Sequence, residues 1–166
     1  MTPRFRIPLI LQIFLFLVPM NIYVIGDGIG SGIQWLLFRY TSTSMGNGFI
    51  FLSREIGFVG SGILSGRSAL STGIWALAAA IIVIATILAI YAYLVGEPSY
   101  IRFSAILNFS TAVLLILAIV LQYGISLNGP SGISVPLGIP VILIVAIVQY
   151  YGLFSEYDPE EEIDLN

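Results

Sequence analysis

Apolar positions run almost unbroken through four stretches of the chain, at about 7–25, 73–95, 104–123 and 135–154. Each approaches the roughly 20 residues that a helix needs to cross a bilayer core about 30 Å thick. None contains a charged residue. Backbone groups in hydrocarbon must be paired within their own segment, so the pattern predicts four transmembrane helices. Pro8 falls in the first turn of the first helix, where a missing N–H is harmless. Pro19 is expected to kink that helix or unwind its last turn.

The connections differ in length. Gly96-Glu97-Pro98-Ser99 is a tight turn between the second and third stretches, and residues 124–132 form a short Gly/Pro/Ser loop between the third and fourth. Residues 26–72 join the first two, far more chain than the two to eight residues usual between bundle helices. Ile33–Thr43 and Phe49–Val59, separated by Ser44-Met45-Gly46-Asn47-Gly48, are rich in aromatic and branched residues. They read as a small β-hairpin on the membrane surface. Arg67–Ser71 then leads into the second helix. The expected fold is an all-α membrane bundle of four transmembrane helices with a hairpin in the long loop. Residues 1–154 form the membrane domain and 155–166 an acidic tail.

Composition sharpens this picture. Hydrophobic residues make up 58% of the 166 positions and charged residues 9%, too apolar for a soluble domain of this size. Cys, His and Lys are all absent. That removes thiolate and imidazole metal sites, Schiff-base and P-loop lysines, and the commonest general base. No cofactor is implied, and no basic patch suits nucleic acid. Net charge is −3, and six of the nine acids follow residue 155. Glu160, Glu161 and Glu162 lack the spacing of a calcium loop and read as a solvated tail or a docking tail for a partner. Arg4 and Arg6 flank the first helix and favour both termini inside, with the long loop outside. Tyr91, Tyr93, Tyr100, Tyr150 and Tyr151 then suit one interfacial belt, and Tyr23, Trp75 and Tyr123 the other.

A few polar residues lie within the apolar stretches. Ser104, Asn108 and Thr111 share one stripe of the third, with Gln12 and Gln149 as counterparts for interhelical hydrogen bonds. Ala78, Ala85 and Ala92 recur every seven residues, a small-residue face for another helix of the bundle or another protein. Among the loop ions, Arg54 and Glu55 read as a surface pair, and Asp27 near Arg67 as a possible headgroup site. Trp35, Phe38, Phe49, Phe51 and Phe58 give the loop apolar surface that lipid or a partner must cover.

The layout resembles the claudin family over the whole chain: a helix, a loop of some fifty residues, two helices joined by a tight turn, a short loop, a fourth helix and a polar tail. Gly32-Ile33-Gln34-Trp35 echoes that family's Gly-Leu-Trp signature loosely, and its two cysteines are missing. The resemblance implies a bundle topped by a small sheet and able to associate laterally with copies of itself. With no set of groups suited to catalysis, the expectation is a non-catalytic membrane protein. It would be an accessory subunit of a larger complex or a self-assembling structural protein, with the lipid bilayer and other membrane subunits or its own copies as partners. The alternatives are a passive channel or carrier lined by the Ser104/Asn108/Thr111 stripe, and a claudin-like assembly protein.

Overall fold

The computed structural model describes residues 6–26, 28–129 and 131–151. Its elements are α1 (Arg6–Phe14), β1 (Asn21–Ile25), β2 (Gly30–Gln34), β3 (Phe38–Thr43), β4 (Gly46–Phe51), α2 (Leu52–Gly60), α3 (Gly66–Val95), α4 (Pro98–Tyr123), β5 (Asn128–Gly129), β6 (Gly132–Val135) and α5 (Gly138–Tyr151). All strands join one antiparallel sheet in the order β4-β3-β2-β1-β6-β5.

The expected all-α bundle of four spans is therefore wrong. The described chain is a mixed structure of five helices and a six-stranded sheet. Among the described residues, two helices are long and apolar enough to cross a membrane, α3 (30 residues, mean hydropathy 2.6) and α4 (26 residues, 2.4). The first apolar stretch divides. Its helix ends at Phe14, and after Pro19 the chain turns extended, with Met20 N–H donating to Gln34 C=O at 2.8 Å. Proline has no N–H for the helix ladder and disfavours helical backbone in the residue before it. The fourth stretch divides at Pro136 in the same way, into β6 and the 14-residue α5.

The hairpin is narrower than expected. β3 and β4 meet across a two-residue loop, Ser44-Met45, with Thr43 paired to Gly46. Gly46-Asn47-Gly48 belongs to the strand, Ile33 and Gln34 belong to β2, and residues 52–59 are helical.

α3 and α4 form a hairpin through Gly96, whose φ of 81° is readily adopted only by glycine and whose N–H caps the carbonyl of Ala92. Ala78, Ala85, Ala89 and Ala92 are fully buried along α3. They let α4 approach closely enough for Ser104 Oγ to donate to the Ala85 carbonyl at 2.9 Å. The main core joins α3, α4 and α5 to the sheet through residues such as Leu36, Trp75, Leu115 and Ile142. A smaller cluster of Ala89, Ala92 and Ile101, with Leu9 and Tyr100 against it, closes the Gly96 end. Tyr23, Trp75 and Tyr123 are buried in the main core, so they do not form the expected lipid-facing belt.

Candidate functional site

The register gives the sheet two unlike faces. Directly opposed residues share a face and residues two apart along a strand share it again. Asn21, Gln34 and Arg39 form one cross-strand row, and Tyr23, Gly32 and Thr41 the next. Both rows face the helices. The Tyr23 ring crosses over Gly32, where a Cβ would collide with it, and its hydroxyl meets Thr41 Oγ1 at 2.6 Å.

Under this face lies a cavity of about 60 Å³. The sheet contributes Asn21, Gln34 and Arg39, α2 contributes Glu55, and α3 and α4 contribute residues that include Ser68, Thr72, Gln122 and Tyr123. Arg39 Nε lies 2.6 Å from Glu55 Oε1. The N–H is not directed at that oxygen, so this is a charge contact rather than an aligned hydrogen bond. Glu55 is 5% exposed. Burial raises its carboxyl above the ordinary 4.5, and the Arg39 guanidinium opposes the shift. Asn21 is fully buried; its Oδ1 accepts from Ser134 Oγ at 2.7 Å, while its Nδ2 has no partner among the described residues. The cavity is polar and roomy enough for a few water molecules. Among the described residues no three acids gather as a metal site, and the one carboxylate in the cavity is engaged by Arg39. The expected Arg54–Glu55 pair is replaced by Arg39–Glu55. Neighbours in sequence point apart on a helix, and Arg54 instead covers the ring of Phe58 at 5.5 Å. Asp27 lies outside the described residues.

A second polar cluster ties the helices together. Asn108 Nδ2 donates to Gln12 Oε1 at 2.7 Å and to Gln149 Oε1 at 2.8 Å. Gln149 Nε2 donates to Gln12 Oε1 at 2.9 Å and to the Pro8 carbonyl at 3.5 Å. Gln12 Nε2 donates to Thr86 Oγ1 at 3.1 Å and to Asn108 Oδ1 at 3.3 Å. Both hydrogens of each amide thus have acceptors, and all three side chains are fully buried. Ser104 also reaches Gln149 at 3.5 Å, whereas the Thr111 hydroxyl turns back to the Leu107 carbonyl at 3.0 Å. The Ser104 and Thr111 hydroxyls and the three amides thus all donate to acceptors within the protein.

Of the apolar loop residues, the structure brings four together. Trp35 stacks on Phe38 at 4.9 Å, and Phe38 lies 6.1 Å from Phe49 and 6.2 Å from Phe51. Phe58 stands apart on α2. Glu160, Glu161 and Glu162 lie outside the described residues. Sequence reading missed the cavity residues Asn21, Gln34 and Arg39. It also missed the apolar residues Ile22, Val24, Ile133 and Val135 on the opposite face. The signal was present as alternation: Asn21-Ile22-Tyr23-Val24 and Ile133-Ser134-Val135 each have period two.

The sequence matches no family model and no curated protein.

Proposed function

We propose that this chain is a multi-pass membrane protein that works by contact, as a subunit of a larger membrane assembly or as a self-assembling structural element, and not by catalysis. The observation that carries the reading is the outward surface of the helix hairpin. Only 33% of the most apolar stretch of α3 and 44% of that of α4 are buried. Outward side chains such as Leu77, Ile84, Ile87, Val113 and Ile116 need lipid or a neighbouring helix around them. With α3 and α4 crossing the bilayer, the sheet lies on one side and the Gly96 turn on the other. Leu9 packs beside Ala89, Ala92 and Ile101 and Gln149 beside Pro8, which brings both ends of the described chain toward the Gly96 side. We assign that side to the cytoplasm, following Arg4 and Arg6. The resemblance to claudins enters only through lateral assembly. Saturated amides and an engaged carboxylate suit a scaffold better than a pathway or a catalyst.

Gentle extraction from native membranes, followed by mass analysis of the particle, tests the reading. Other polypeptides in fixed ratio identify a subunit, and copies of this chain alone identify self-assembly. A lone monomer with activity of its own overturns the proposal.

A further inference from the structure

The face of the sheet turned away from the helices is apolar across its width. Val135, Ile22, Ile33, Tyr40 and Phe49 are directly opposed in turn on β6, β1, β2, β3 and β4. Phe38 and Phe51 extend the patch on one side and Val24 and Ile133 on the other. Ser31, Ser42 and Asn47 continue the latter row without a charge. The face is open to the surroundings: Val135 is 50% exposed, and Phe49 and Phe51 are each 60% exposed. The usual arrangement of a half-buried sheet, apolar inward and polar outward, is reversed around the cavity.

We infer that this outer face is covered by the same face of a second copy, the two sheets stacking into a sandwich. The inference rests on the contact reading above and names the partner within it. Three observations select a second copy. No residue of these rows is charged, so a two-fold arrangement places no like charges together. Two side-chain rows cross five strands at about 4.8 Å spacing and a third crosses two, which gives a face about 20 Å by 15–20 Å. With side-chain relief, two such faces bury on the order of 1,000 Å², the lower bound for a specific interface. Lipid fits less well. Among the described residues β4 is an edge strand whose outer backbone groups have no ladder partner, and hydrocarbon does not tolerate unpaired backbone groups.

The chain has no cysteine, so single-cysteine variants report cleanly. Stacked sheets sit about 10 Å apart, beyond the reach of a disulfide, so the probe is a short bis-maleimide applied to the full chain in lipid nanodiscs carrying two copies. Ile22→Cys and Ile33→Cys are expected to give crosslinked dimers. Adding Tyr40→Glu, which places a charge in the middle of the face, is expected to lower the yield at least about tenfold. Gly48→Cys on β4 has nothing within 4 Å of its Cβ and reports edge-to-edge pairing. Crosslinking at Gly48 but not at Ile22 or Ile33 overturns the stacked arrangement. Absence of crosslinks at all three positions, with another polypeptide co-purifying, overturns the second copy as occupant and leaves the contact reading standing. Absence of all three crosslinks in a particle that holds only copies of this chain overturns the stacked faces and leaves assembly through α3 and α4, whereas a single chain without partners overturns the two together.

Discussion

Arg39 on β3 and Glu55 on α2 are in charge contact at 2.6 Å, which fastens the sheet to the helix that follows it. Glu55 is the more deeply buried partner, with a side chain 6% exposed against 30% for Arg39. Their environments are thus unequal, and the consequences of removing each differ.

The pH dependence follows from the direction of the Glu55 shift. Its folded-state value lies above the ordinary 4.5, because desolvation outweighs the opposing guanidinium. A raised value means that the fold favours the protonated form. The contribution is complete below 4.5 and declines as pH rises through the elevated value. The melting temperature of the wild type, minus that of Glu55→Gln, is expected to fall as pH rises above 4.5. A difference that grows with pH would show that Arg39 outweighs burial.

Removing only the guanidinium is expected to be worse than removing both charges. Arg39→Ala strands a buried carboxylate, at a cost of about 2–3 kcal/mol after allowing for the partial exposure of Arg39. Arg39→Ala with Glu55→Gln should recover most of that loss in the same unfolding assay. Equal destabilisation in the single and double variants would contradict the pairing.

Asn108→Leu takes two donated hydrogen bonds from the amide cluster and leaves Gln12 Nε2 one acceptor short. The expected loss is about 1–2 kcal/mol, measured by reversible unfolding in mild detergent. Ser110→Ala, about half a turn away on the exposed side of α4, should change little. If Asn108→Leu unfolds like the wild type, the cluster is not a structural tie.

Two glycines should respond in opposite directions to alanine. Gly32→Ala pushes a methyl into the Tyr23 ring and toward the Tyr40 carbonyl, with an expected cost of about 1–3 kcal/mol. Gly73→Ala meets nothing within 4 Å and lies in α3, so it should stabilise by about 0.5–1 kcal/mol. Thermal melts of the two variants decide the matter.

Legibility in the sequence followed the range of the interactions. α3 and α4 stand out because their apolar runs are long and their ladders local. Asn108, Gln12 and Gln149 stand out because an amide in an apolar helix needs a partner. Asn21–Ile25 was absorbed into a predicted helix, since hydropathy alone does not separate an apolar strand from an apolar helix. The decisive fact there was the pairing of Ile22 with Val135, a contact between residues remote in sequence. Glu55 was paired with Arg54 instead of Arg39 for the same reason, because proximity along the chain took the place of proximity in space.

β1 sits in the interior of the sheet, paired on one side with β2 and on the other with β6. Its first partner follows a few residues later, while its second emerges only after the entire α3–α4 hairpin has been made. Closing so long a loop is slow as well as entropically costly. A nascent chain therefore carries an unsealed strand of four consecutive apolar residues, Ile22 to Ile25, until β6 is synthesised. Truncation before Gly132 would leave that strand unsealed, so the position of β1 makes closure of the sheet wait on the segment that follows the helix hairpin.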